Sequence, residues 1–382
     1  MPQNPFDKLI RIPGPNPILR TGGPGEWDEG RIECGDVCEE YGTYYLYYHG
    51  QPLDTKQWPQ TGYRIGVATA PHPLGPWTKH PGNPILDLGE TFAWDDVHVA
   101  CPCLLKEGVD KYYLWYSGFH TEWSIGLASG NSPLGPFTRY GNKPLLPKFG
   151  YVGSVVREGK QYRLYAEHPI GATGPDYGPL SVAVAEQPEG PWTPGPTVLE
   201  PGAWGAWDDG GYSEAKVLRL DGGYHVFYGG AKLHETRLRT EESIGHAWSP
   251  DGVTFHKDPR NPIAARQREP NAAAYAEVHA LYETPFIYCY HTLRYQDSER
   301  VDLEHLGVQI LATRQPYCLT MPVLNLPLLR DGEEAESAVI GLAETDSIGV
   351  VLSPREDLRW ELWGSACGRR YESFARDLVS LR

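Results

Sequence analysis

Tyr44-Tyr-Leu-Tyr-Tyr-His-Gly50, followed by Ile65-Gly-Val-Ala-Thr69 and Pro73-Leu-Gly-Pro-Trp77, is the stretch on which the fold turns. Upstream of it stand Asn16-Pro-Ile-Leu19 and Trp27-Asp28. The same order returns as Asn83-Pro-Ile-Leu86, Trp94-Asp95, Tyr112-Tyr-Leu-Trp-Tyr-Ser-Gly118, Ile125-Gly-Leu-Ala128 and Pro133-Leu-Gly-Pro-Phe137. Weaker copies run through Tyr162-Arg-Leu-Tyr165 with Gly190-Pro-Trp192, through Trp207-Asp208 with Tyr224-His-Val-Phe-Tyr228, and through Asn261-Pro-Ile263 with Phe286-Ile-Tyr-Cys-Tyr290. Alternating aromatics of this kind read as a strand buried on both faces, with Gly/Pro turns leading to its neighbours. A sheet of about four strands cannot bury both faces alone, so the copies must pack on one another. Radial closure of five such sheets gives an all-β, five-bladed β-propeller.

The repeat predicts one domain over 1–382, with blades at roughly 14–80, 81–141, 142–200, 201–258 and 259–313. Residues 314–382 leave the pattern and read as extra strands that complete the ring or brace it, with a short helix over Tyr371–Leu381. The 382-residue chain is 40% hydrophobic and 22% charged, as a water-soluble globular protein would be. Asp and Glu number 49 against 34 Lys and Arg, a formal charge of -15 without a basic tract, which argues against nucleic-acid and anionic-membrane partners. No run of 18 apolar residues suggests a membrane span, and the first residues have no apolar signal core. Seven cysteines cannot all pair within one chain, which favours a reducing cytoplasm.

The repeat also gives a register for the innermost strands. Counting back from each aromatic strand lands on Asp36, Pro102, Ser154, Glu214 and Glu277. Three carboxylates, Asp36, Glu214 and Glu277, are thereby expected around one axial pocket. Acetal cleavage needs such a set: one carboxylate activates water or attacks carbon, and another protonates the leaving oxygen. Close like charges also raise one pKa and keep that acid protonated. Asp96 follows Trp94-Asp95 just before a strand and joins the catalytic candidates, whereas Asp28, Asp95 and Asp208 read as turn or cap residues. Candidates for substrate binding are His279, on the same strand face as Glu277, and His98, which bears the same relation to Asp96. Trp94 and Trp207 could stack on sugar rings, and Asp209, Ser154 and Arg294 could bind hydroxyls. No metal is expected: there is no HExxH, and Cys34, Cys38, Cys101 and Cys103 lack the tight turn of CxxC and read as packing.

The Asn-Pro-Ile-Leu, Tyr-Tyr-Leu-Tyr-Tyr and Leu-Gly-Pro-Trp elements over residues 14–313 resemble the five-bladed propeller glycoside hydrolases, namely family 43 and its relatives in families 117 and 130. The resemblance implies a carbohydrate substrate, with Asp36 in the place of the family 43 general base and Ser213-Glu214-Ala215-Lys216 as a diverged form of the acid's setting. It implies inverting cleavage of a glycoside such as an arabinoside or xyloside, so that Asp36→Asn and Glu214→Gln would lose turnover and keep the fold; the lack of a signal core and a closed mouth favour exo action on a short chain over endo action. The third blade departs from the pattern: it has Ser154 where family 43 places a tuning Asp, which leaves Asp96 or Glu277 to supply the charge. Family 117, with its proposed histidine acid, keeps His279 in view, and the family 130 phosphorylases keep phosphorolysis as the alternative. A non-catalytic sugar-binding propeller is the remaining alternative. The motifs of families 32 and 68 are missing, which argues against fructan chemistry. No cofactor is required; the resemblance leaves room for an axial Ca²⁺ that no local ligand set demands, and it leaves self-association open.

Overall fold

A computed structural model describes residues 9–53, 58, 60–168, 178–220, 222–233, 241–266, 273–283, 286–295, 304–313, 347–352, 360–366 and 369–373. The fold is all-β, and no helix occurs among these residues. Strand β1 (Leu9–Pro13) precedes a sheet of β2 (Arg31–Glu40), β3 (Thr43–Gln51), β4 (Arg64–Ala70) and β5 (Thr78–Lys79). A second sheet holds β6 (His98–Gly108), β7 (Lys111–Phe119), β8 (Trp123–Gly130) and β9 (Thr138–Arg139). The third holds β10 (Tyr151–Glu158), β11 (Gln161–Glu167), β12 (Leu180–Ala185) and β13 (Thr193–Leu199). In the fourth unit β14 (Gly211–Leu220), β15 (Gly223–Lys232), β16 (Glu241–Ser249) and β17 (His256–Lys257) run in the same order. The fifth unit comprises β18 (Ala273–Glu283), β19 (Phe286–Tyr295) and β20 (Glu304–Thr313), with β1 pairing antiparallel to β20 as its outer strand. A single parallel pairing, Ala215 with Val278, joins the fourth and fifth units.

Burial on both faces explains the aromatic strands. Leu46 and Tyr48 point into a cluster shared with Tyr288, Val308 and Ile310 of the fifth unit. Tyr47, one residue out of phase, points into a cluster shared with Leu114 and Tyr116 of the second. Comparable clusters join the second unit to the third, the third to the fourth and the fourth to the fifth. Each buried large apolar side chain contributes about 1.5–3 kcal/mol, so the units hold one another in place. The first strands follow suit: β2 touches β6, β6 touches β10, β10 touches β14, β14 touches β18, and β18 returns to β2.

The other repeated residues have equally local reasons. Trp27, Trp94 and Trp207 stack on Tyr48, Tyr116 and Tyr228 with ring centroids 5.5, 5.4 and 5.8 Å apart. A Cβ at Gly66, Gly126 or Gly245 would come within 2.7 Å of those indoles, so the Ile-Gly of each third strand must stay glycine. Asn83 and Asn261 bond both backbone groups of Val67 and His246 on their own unit's third strand. Asn16 does the same for Val308 of β20. The Asn-Pro-Ile element therefore finishes a unit rather than opening one.

Two expectations change. Among the described residues, the strand that completes the fifth sheet is β1, from before the first repeat. Beyond residue 314 the described strands β21 (Ser347–Leu352), β22 (Trp360–Ala366) and β23 (Arg369–Ser373) form a separate three-stranded sheet. The helix expected from Tyr371 starts instead on β23, where Tyr371 pairs with Gly364; a hairpin partner favours extended backbone there. The remainder of that helix lies outside the described residues.

Candidate functional site

All five first strands carry a bulge at the same height: between Cys34 and Val37, Ala100 and Cys103, Val152 and Ser154, Ser213 and Ala215, and Ala276 and His279. A bulge turns side chains out of the pleat and is common beside active sites. The bulges of the second, fourth and fifth units supply Cys101, Glu214 and Glu277 to a cavity of about 180 Å³ to which every unit contributes. Glu33, His49 and Tyr63 come from the first unit, Ala100, Cys101 and Trp123 from the second, and Tyr151 and Glu167 from the third. Ser213 and Glu214 come from the fourth, Glu277 and Arg294 from the fifth. Cys101 and Glu277 take left-handed backbone angles, with φ of 52° and 43°, a strain that non-glycine residues keep mainly at functional sites.

The carboxyl groups differ in their partners. Glu33 meets His49 Nε2 at 2.8 Å and accepts the Tyr63 hydroxyl at 2.5 Å. Burial pushes its carboxyl up, but the His49 hydrogen bond and charge bring it well below the usual range. For His49, burial works against the charged ring and Glu33 outweighs it, a net upward shift. Glu167 is only 3% exposed, and its Oε2 has no hydrogen-bond partner. Burial, then the nearby Glu214 and Glu277, hold its carboxyl well above the ordinary value. Glu277 is raised by burial against the pull of Arg294, whose Nη2 lies 3.2 Å from Oε1. Arg294 also donates to Glu304 at 2.5 Å and Glu242 at 3.2 Å; burial pushes Glu304 up to about 7 despite that cation.

Of the residues singled out from sequence, Glu214, Glu277 and Arg294 line the cavity. His279 sits behind it, 2.9 Å from Glu214 through Nε2. Asp36 does not reach the cavity lining. It is 1% exposed, its Oδ1 takes Lys216 Nζ at 2.5 Å and the Val37 amide, and its Oδ2 takes the Leu104 amide. Its one link to the site is His279 Nδ1, 4.0 Å away. Ser154 is likewise buried, against Val217 O.

The entry-loop candidates are loop supports. Asp96 and Asp209 accept the amides of Phe92 and Gly205, as Glu29 accepts that of Gly25 in the first unit. Asp96 also binds His120, and Asp209 also holds Leu233 N. The same loops put Trp94 and Trp207 on the blade tyrosines rather than on the cavity, and His98 stacks behind Trp123 at 5.7 Å. Trp94→Ala should therefore lower stability by about 2–3 kcal/mol, somewhat under the fully buried range. Thermal unfolding would read that loss, with KM left unchanged.

Glu33, Tyr63 and Glu167 escaped the sequence reading. Glu167 occupies the third unit's equivalent of His49, five residues on from the first aromatic of the repeated strand, and that alignment could have found it. Among the described residues, His49, Cys101 and Glu214 form the one His/Cys/carboxylate group whose ligand atoms lie within 4.8 Å of one another. Calcium takes six to eight oxygen ligands, so this nitrogen, sulfur and oxygen set does not suit an axial Ca²⁺.

No family model matches the chain. Two uncharacterized proteins of Mycobacterium tuberculosis, one from each of two strains, are 27% identical over 134 residues; the match spans 35% of this chain and 40% of either relative. Among solved structures, a putative glycosidase from Bacteroides thetaiotaomicron superposes with a TM-score of 0.60 at 13% identity, covering 80% of this chain and 97% of that one. A family 117 glycoside hydrolase from Zobellia galactanivorans gives 0.52 at 18% identity, covering 81% and 91%. The β-1,2-mannobiose phosphorylase of Listeria innocua gives 0.56 at 14%, covering 80% and 96%. A thermostable family 43 glycoside hydrolase is similar too, with a TM-score of 0.55. The chain thus shares the fold of the propeller-type glycoside hydrolases of families 43, 117 and 130, without one of the three being singled out.

Proposed function

We propose that the protein is a glycoside hydrolase whose five sheets close as a five-bladed propeller around an axial active site. The observation that carries this reading is the convergence of Glu33, Glu167, Glu214 and Glu277 from four different units on one cavity walled by Trp123 and Tyr151. Glu167, with a buried and uncommitted Oε2, is the proposed acid that protonates the leaving oxygen. Glu33 is the proposed base, oriented by His49 on one oxygen and Tyr63 on the other. Glu277, held by Arg294, would bind sugar hydroxyls. At about 180 Å³ the cavity is smaller than the roughly 300–1,000 Å³ of common ligand pockets, which suits one sugar ring and exo action.

The lining also speaks against phosphorolysis. Arg294 is the one Lys or Arg among the lining residues, and it already serves Glu242, Glu277 and Glu304. Incubation with a panel of pentosides, hexosides and short oligosaccharides, with and without inorganic phosphate, tests this. Sugar release without phosphate is the expected result. Release only with phosphate would overturn the hydrolase reading, and saturable binding without turnover would overturn the catalytic one.

A further inference from the structure

His49, Cys101 and Glu214 are all buried, all line the cavity, and come from three different units. Their ligand atoms lie within 4.8 Å of one another. A tetrahedral ion with bonds of 2.0–2.3 Å needs ligand atoms about 3.3–3.8 Å apart. A contraction of about 1 Å would close the set, with Glu214 moving against its 2.9 Å contact to His279. The imidazole is already oriented for it. Nε2 faces Glu33 at 2.8 Å, and a carboxylate behind a histidine is the usual support of a metal ligand. Nδ1 accepts the Cys101 amide at a long 3.4 Å, a weak bond that metal ligation would replace.

An independent observation points to a cationic occupant. Glu33 and Glu277 line the same cavity beside Glu214, and Arg294 is the one Lys or Arg among the lining residues, so a bound cation would offset their repulsion. A thiol, an imidazole and a carboxyl together select a borderline metal over a hard one. Three protein ligands with one open position are the pattern of a catalytic rather than a structural site.

We propose that His49, Cys101 and Glu214 bind one Zn²⁺ ion, with its open position facing the cavity. Binding breaks the Cys101 S–H bond, forms the S–Zn bond and releases the proton to solvent. The inference rests on the ligand geometry and not on glycoside cleavage, so it is read by metal binding alone.

The full chain, stripped with chelator, would be titrated with Zn²⁺ by calorimetry and with Co²⁺ by absorption spectroscopy. One ion per chain is expected, and Co²⁺ should give a near-ultraviolet thiolate charge-transfer band that Zn²⁺ bleaches. Cys101→Ser should abolish the band, while Cys38→Ser, away from the cavity, should keep it. Glu33→Gln should keep the band and weaken binding about 10–100-fold, as loss of a histidine's supporting carboxylate does. Should Cys101→Ser fail to fold by circular dichroism, Glu214→Gln serves instead, with an expected loss of at least about tenfold in affinity. Absence of stoichiometric binding, a band that survives Cys101→Ser, or unchanged affinity in Glu214→Gln would overturn the site.

Discussion

Glu167→Gln is expected to lower turnover of a cleaved glycoside by about 10²–10⁴-fold, the span that a positioned acid contributes, while the fold is kept. Glutamine has the shape of a protonated glutamate and cannot give up the proton. The stability change should run the other way. Glu167 holds its proton above the pH at which an unfolded glutamate loses it, so the native state binds more protons there and stability falls as pH rises. The variant lacks that loss. Its advantage should be near zero in acid and grow with pH, by at most about 1.4 kcal/mol per unit, until the folded carboxyl itself ionises. Steady-state rates and thermal unfolding from pH 5 to 8 would show the two trends together. Unchanged turnover would remove Glu167 from the acid role.

The periodic part of this structure was legible because each repeated residue has a repeated local partner. Tryptophan meets tyrosine, glycine makes room for that tryptophan, and asparagine completes the third strand's backbone bonds. Counting back along the repeat also reached Glu214 and Glu277, since it landed on the bulges. The same count misled at Asp36. The first unit's bulge contains both Gly35 and Asp36, and the side chain that reaches the cavity is Glu33, paired across to His49. Glu167 was hidden for another reason: it sits at the end of a second strand otherwise read as core, and nothing in strand alternation marks the end that opens on the axis. The outer closure was illegible because the first residues of the chain carry no repeat and owe their place to a partner at β20.

Asp36→Ala should destabilise the protein by about 3–5 kcal/mol, the usual cost of leaving a buried charge without its partner. The ammonium left behind is Lys216, 14% exposed and bonded to Asp36 at 2.5 Å. Burial works against that charge, and Asp36 outweighs it to hold Lys216 above the ordinary lysine value. The Val37 and Leu104 amides would lose their acceptor as well. Urea unfolding measures the loss, and adding Lys216→Met should restore much of it, because the orphaned charge goes too. A catalytic Asp36 would give the opposite pattern, with little change in unfolding and no recovery of turnover in the double variant. We expect any activity loss to follow stability and the placement of His279, which Asp36 faces at 4.0 Å.

The pairing of β1 with β20 joins Leu9 to Thr313, so synthesis and assembly run on different clocks. The two strands lie far apart in sequence, and local pairing cannot shorten the search that joins them. Until they meet, the growing chain carries an open sheet edge at Glu304–Thr313, the kind of edge that recruits a second nascent copy. The quality of expression should then depend less on the cavity, or on any one unit, than on how promptly these two strands find each other.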